Sequence, residues 1–221
     1  MGNKAKKIVI LLFVFVLIPL VYLFLQSFGE NQFVLKTYYQ EEVPALETPC
    51  APIQAPYAVA PTLWADAAGE EATFPNAHIN LVLKLHPEQW RVQMNQLNSL
   101  QEAFAEKADI EILVLAAATD SLEQQGWDQR LRVFKEQTPH WYMHTTAGYL
   151  IDQYFTCTLL SDYSNPDWED ISPGLPASSV AVLLDRENRI RGYFNLTETP
   201  EYDRLVIEVG VMLLEYKQAS K

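Results

Sequence analysis

The sequence predicts an α/β domain, a mixed β-sheet with helices on both faces, behind an N-terminal transmembrane helix. Three observations carry that expectation. The first is a change of period across residues 79–104. Ile79-Asn-Leu-Val-Leu-Lys-Leu85 reads as a short apolar strand, His86-Pro87 interrupts it, and from Glu88 the apolar residues take helical spacing. The second is the order of elements: strand–helix–strand–helix, a variable middle, then strand–strand–helix. The third is an eighteen-residue run without charge, Ile8 to Leu25, preceded by Lys4, Lys6 and Lys7.

As a helix, that run is about 27 Å long at ~1.5 Å per residue, close to the ~30 Å hydrocarbon core of a bilayer. A cleaved signal peptide would end in a small-x-small site, and Leu23-Phe-Leu-Gln-Ser-Phe-Gly29 offers none. Residues 1–27 are therefore expected to be a cytoplasmic tail and an uncleaved single-pass anchor in the inner membrane. The lysines belong on the cytoplasmic side, which places the chain beyond Gln26 on the exported side, the periplasm of a bacterium. Setting those three lysines aside leaves 13 basic against 28 acidic residues, a net charge of −15. That balance argues against nucleic acid and anionic lipid as partners of the exported domain.

Residues 28–76 read as a Pro/Ala-rich linker with short extended pieces. Pro44, Pro49, Pro52, Pro56, Pro61 and Pro75 punctuate it, and no period persists. Asp66-Ala-Ala-Gly69 can turn a short hairpin, and packing onto the domain is expected to begin near Tyr57 to Trp64. The domain proper is 77–221. Pro87 suits a first helical turn, and Trp90, Met94, Leu97, Gln101 and Phe104 follow at helical steps. Ile110 to Ala118 is a near-continuous apolar run suited to a central parallel strand. Ser121-Leu-Glu-Gln124 matches a capping box, and Trp127, Leu131 and Phe134 continue that helix to about Gln137 before Pro139.

His140 to His144 is a short strand, Tyr149 to Phe155 a short helix, and Ser161 to Pro176 a loop. Val180 to Leu184 and Ile190 to Asn195 flank a hairpin turn that contains Asn188. Thr199 caps a last helix with Pro200 in its first turn and Leu205, Val209, Met212, Leu213 and Tyr216 as its apolar row. This order alone predicts a thioredoxin-like sandwich. In such folds the first strand–helix junction usually carries a cysteine pair where the helix dipole favours a thiolate. This junction has no cysteine. The chain has two, Cys50 and Cys157, too few for a disulfide framework. An exported location permits one bridge between them, but the expectation is two unpaired cysteines.

Residues 86–104 and 177–216 resemble the SCO/SenC proteins, membrane-anchored thioredoxin-fold factors that assemble the copper centre of cytochrome c oxidase. The family's strand followed by Cys-Pro-x-x-x-Cys-Pro, and its helix ending Gln-Glu-Ala-Phe, align without gaps on Leu85-His86-Pro87 through Gln101-Glu-Ala-Phe104. Its C-terminal motif is similar to Ala177-Ser-Ser-Val-Ala-Val-Leu-Leu-Asp185 and Arg189-Ile-Arg-Gly-Tyr-Phe194. The resemblance implies a setting in respiratory oxidase assembly, with an oxidase subunit or another assembly factor as partner. It also implies a degenerate site. The first copper-binding Cys becomes His86, the second becomes Trp90, and the ligand His becomes Ala177. Copper sites of this kind need thiolates plus an imidazole, and Trp and Ala coordinate nothing. The expectation is a non-catalytic protein with no metal or cofactor.

His86 is the best remaining candidate, because it holds the active-site position where an imidazole would serve as ligand or base; the plainer reading is a turn residue. The alternative function is a copper-binding chaperone with a site rebuilt around His86, using Cys157 or the pair His140 and His144. On a strand those two histidines share a face while Met143 points the other way. A thiol–disulfide oxidoreductase using Cys50 and Cys157 would need their Cα atoms within ~7 Å or a shared path to a partner thiol. Trp90 reads as a core or site-plugging aromatic. Asp162, Tyr163, Asp167, Trp168, Glu169 and Asp170 form an acidic loop, a solvated face or a partner anchor. No Ser-His-Asp signature, Gly-rich phosphate loop or zinc spacing is present.

Overall fold

Seven-residue and nine-residue mostly apolar runs, Ile79–Leu85 and Ile110–Ala118, become the two innermost strands, because only a strand covered on both faces buries every position but Glu111. The computed structural model describes residues 15–17, 20, 35–43, 50–60, 62–65, 71–73, 78–104, 106–138, 141–161 and 180–219. The chain divides into Met1–Val34 and Leu35–Lys221, and the account below concerns the second unit. The expected membrane helix over 8–25 lies largely outside the described residues. Its described part, Phe15–Leu17 and Leu20, is helical, and among the described residues no helix is long and apolar enough to cross a membrane.

The main sheet has five strands in the order β5-β4-β3-β6-β7. β3 (Ile79–Leu85), β4 (Ile110–Ala118) and β5 (Tyr142–Ala147) run parallel; β6 (Val180–Asp185) and β7 (Ile190–Asn195) are antiparallel additions. β1 (Thr62–Ala65) and β2 (Glu71–Thr73) form a separate antiparallel pair around the expected 66–69 turn, which itself lies outside the described residues. The helices are α1 (Trp90–Phe104), α2 (Ser121–Gln137), α3 (Gly148–Cys157) and α4 (Thr199–Ala219). Alternation along the strands sorts the core into two layers. Leu81, Leu83, Ile112 and Val114 meet Leu97, Trp127, Leu131, Leu205 and Val209 from α1, α2 and α4. Val82, Leu113, Leu115 and Val182 meet Ile151 and Phe155 from α3.

The α3 face is completed by an extended segment instead of a second helix. Residues 35–43 and 50–60, within the stretch read as a linker, lie against it, although contact was expected only from Tyr57 onward. Tyr38 N–H donates to the Ile190 carbonyl (2.9 Å) and Val59 N–H to the Asn188 carbonyl (2.8 Å). Because this segment lies along the sheet, it brings Cys50 to the end of α3. The expectation of two unpaired cysteines is corrected: Cys50 and Cys157 form a disulfide, Cα–Cα 5.1 Å. Three tyrosine hydroxyls donate to carbonyls of the turn that ends α3: Tyr57 to Thr158 (2.7 Å), Tyr193 to Leu159 (2.8 Å) and Tyr39 to Leu160 (3.4 Å). These pair carbonyls of the C-cap and the turn beyond it, which lie in or near the core and need donors there.

Further details differ from the expected starts of elements. α2 is capped by Asp120, not Ser121: its Oδ1 accepts from the Leu122 and Glu123 backbone N–H groups, while Glu123 reaches back to Thr119. The cap therefore sits one residue earlier, where Asp120 puts a full carboxylate on the orphan donors, and the return bond of Glu123 goes to Thr119 instead of to the cap residue. β5 begins at Tyr142 rather than His140, and α4 begins at Thr199, with Tyr202 N–H donating to the Glu198 carbonyl. The β6–β7 turn holds Asn188 in the left-handed region (φ 57°), as an Asn turn residue allows. Beside it the fully buried Asp185 carboxylate accepts from Glu187 and Arg189 N–H groups, Arg189 Nε (2.8 Å) and Arg191 Nη1 (3.4 Å).

Candidate functional site

The β3–α1 junction is built from Lys84 to Gln93. After β3 the chain stays extended at His86 (φ −112°, ψ 136°), makes a single 3₁₀ turn over Pro87–Gln89, and enters α1 at Trp90. Pro87 fits here because a first-turn residue needs no N–H partner. A buried glutamine holds the turn in place. His86 N–H donates to Gln93 Oε1 (2.7 Å), and Gln93 Nε2 donates to the Lys84 carbonyl (3.3 Å). Gln93 therefore takes a core position with Leu97, Leu100 and Phe104, whereas Trp90 and Met94 are only half-buried. The sequence pattern placed Trp90 and Met94 on the buried row, because periodicity cannot anticipate a polar side chain consumed by two backbone groups.

Two hollows meet at Pro87. One is a half-open cleft of about 500 Å³ lined by His86, Glu88, Thr119, Glu123, Tyr149 and Asp152. It lies at the C-terminal ends of β3, β4 and β5, where parallel sheets leave room for ligands. The other, about 350 Å³, lies between the starts of α1 and α2 and is lined by Trp90, Leu122, Trp127 and Arg130. Trp90 forms a wall of this second hollow. The Arg130 guanidinium stands 4.5 Å from its ring centroid and 5.5 Å from that of Trp127, cation–π distances.

The charges around the cleft are largely committed to protein partners. Lys84, nearly buried on the α3 side of β3, pairs with Asp152 at the cleft wall. Glu123 accepts from both Thr119 N–H and Oγ1 at 2.8 Å. His86 Nδ1 accepts from Glu88 N–H at 3.4 Å, a weak bond. Among the described residues no group of three or more His, Cys, Asp or Glu side chains is placed to hold a metal ion.

Of the residues singled out from sequence, the structure brings only His86 and Trp90 together at the junction. Cys157 is the last residue of α3, whose first residue, Gly148, lines the cleft. The ten-residue helix puts them about 14 Å apart along its axis, and the Cys157 sulfur is bonded to Cys50. His144 sits half-buried in mid-β5 opposite Leu115, with Met143 in the core. His140, Ala177 and the acidic loop 162–170 lie outside the described residues. Lys84, Gln93, Glu123 and Asp152 were not anticipated as site residues. Only Lys84 left a signal, a lone charge inside a mostly apolar strand.

No protein-family model and no curated protein matches the sequence. Solved structures do. BsSco, of the Sco family of cytochrome c oxidase assembly proteins, superposes with a TM-score of 0.43 at 15% identity, over 71% of this chain and 93% of that one. A SCO1/SenC family lipoprotein from Bacillus anthracis str. Ames gives 0.42 at 11% identity, over 66% and 89%. A peroxiredoxin-like protein from Aquifex aeolicus gives 0.42 at 12%, over 71% and 84%. The mixed α/β, thioredoxin-like architecture rests on this chain's own element order and strand order.

Proposed function

We propose that this chain is an exported, membrane-anchored thioredoxin-fold protein that acts by holding a partner, as a non-catalytic accessory in respiratory oxidase assembly. The observation that carries the reading is the placement of sulfur. The chain has two cysteines, and both are consumed in one disulfide at the far end of α3. The junction that presents thiolates in redox-active relatives of this fold presents His86 and Trp90 here. Thiol–disulfide exchange there has no nucleophile, and a copper site there has one imidazole in place of a soft ligand set. The anchor and its orientation are supported by the charge-free run after Lys4, Lys6 and Lys7. The oxidase setting is supported by the sequence resemblance at residues 86–104 and 177–216.

The test is titration of the purified full chain with Cu(I) and Cu(II), wild type beside His86→Ala. Binding no stronger than nonspecific background, equal in both proteins, is the expected result, and partner capture by cross-linking in membranes then follows. Tight one-to-one binding lost in His86→Ala would overturn the reading and make this a copper chaperone with a moved ligand set.

A further inference from the structure

Helix α4 is apolar on two sides. Its inner row, Leu205, Val209 and Met212, is fully buried against the sheet. The opposite side carries Asp203, Ile207, Gly210, Leu214 and Lys217, at steps of four, three, four and three, with Val211 alongside. Ile207 is 65% and Leu214 59% exposed, so the monomer makes little use of either. That spacing is a heptad seam, the pattern by which one helix packs along another.

Gly210 gives a second, independent indication. Glycine is a poor helix-interior residue, so its presence there asks for a packing reason. Gly192 has one within the monomer, since a Cβ there would stand 2.7 Å from the Phe194 ring. At Gly210 a Cβ would meet nothing within 4 Å. What the glycine opens is space on the outer face, where another backbone can approach closely.

We infer that α4 is a self-association helix, and that a second copy of this chain docks on it antiparallel about a two-fold axis at Gly210. The seam is self-complementary in that sense only. The two-fold puts Gly210 against Gly210, Ile207 against Leu214 of the second copy, and Asp203 against its Lys217. A parallel pair would set Asp203 against Asp203. The other carboxylates in the middle of α4, Glu208 and Glu215, lie toward the inner side and are paired within the monomer, with Arg204 Nη1 (2.9 Å) and Arg191 Nη2 (3.4 Å). The interface covers about four turns of helix, a small contact for a specific pair, so the dimer is reversible and depends on concentration.

The experiment uses the full chain in detergent micelles, with light scattering across a concentration series and disulfide trapping. A mixture of Ile207→Cys and Leu214→Cys chains is expected to cross-link between the two kinds, while each variant alone does not. Gly210→Leu is expected to weaken association about tenfold or more without lowering the melting temperature, because leucine suits a helix interior and has room there. Cross-linking of each variant with itself would show a parallel pair and overturn the arrangement. Association unchanged in Gly210→Leu would place the interface elsewhere. A monomer at every concentration would overturn the proposal and leave the face to a different protein.

Discussion

Lys84 and Glu111 show how single residues in this fold carry consequences that their strand positions alone conceal. Lys84 is an ammonium with little exposed surface whose charge is balanced at the cleft wall by Asp152. Asp152→Ala should destabilise the domain by about 1–2 kcal/mol, read from urea unfolding, because it removes a charge-assisted hydrogen bond from a group that cannot reach water freely. Glu111 stands opposite Asn80 on the α3 face, and its Oε2 has no hydrogen-bond partner among the described residues. Burial pushes its carboxyl up to about 7 from 4.5. The folded state therefore holds the proton more tightly than the unfolded chain. That contribution is fully present below about pH 4.5 and is lost as pH rises through about 7. Glu111→Gln should flatten this decline, and urea midpoints measured across that window, wild type against variant, provide the check. A parallel slope in both proteins would remove Glu111 as its source. The sequence exposed Glu111 and Lys84 as polar interruptions of apolar strands, but not whether each finds a partner.

At the scale of elements, boundaries were legible where a local signal set them. β3, β4 and β7 run as their apolar stretches indicated, and the β6–β7 turn forms around Asn188. The start of α2 shows the limit of pattern matching. Asp120, not Ser121, carries the cap, so Asp120→Ala should cost about 1 kcal/mol while Ser121→Ala changes thermal stability little. The α3 end was not legible. It is held by the disulfide and by hydroxyls from Tyr39, Tyr57 and Tyr193, which arrive from two distant parts of the chain. The bridge closes a separation of 107 residues. On the chain-entropy account, a loop on the order of 100 residues is worth up to about 4–5 kcal/mol. The double variant Cys50→Ser/Cys157→Ser should melt well below wild type. Unchanged melting would show that the tyrosines and Val59 hold residues 35–43 and 50–59 without help.

At the scale of the whole molecule, the sequence by itself determined the order of elements, the acidic character and the absence of cysteine from the β3–α1 junction. These follow from nearest-neighbour chemistry: hydrophobic period, turn residues, and which side chains occupy which position. A reduction assay on a disulfide substrate should accordingly show no turnover above background, and turnover abolished in Cys50→Ser would contradict that. Only the tertiary structure decided that Tyr38, Tyr39, Tyr57 and Val59 pack on the α3 face, that Cys50 reaches Cys157, and that Gln93 is buried to hold His86. The sheet-facing row of α4, Leu205, Val209 and Met212, is the one its period indicated, whereas the outward exposure of Ile207 and Leu214 came from the structure. The reason is physical. A disulfide, a backbone clamp and a helix's uncovered side each depend on which distant segments share a face, and no local period encodes that distance.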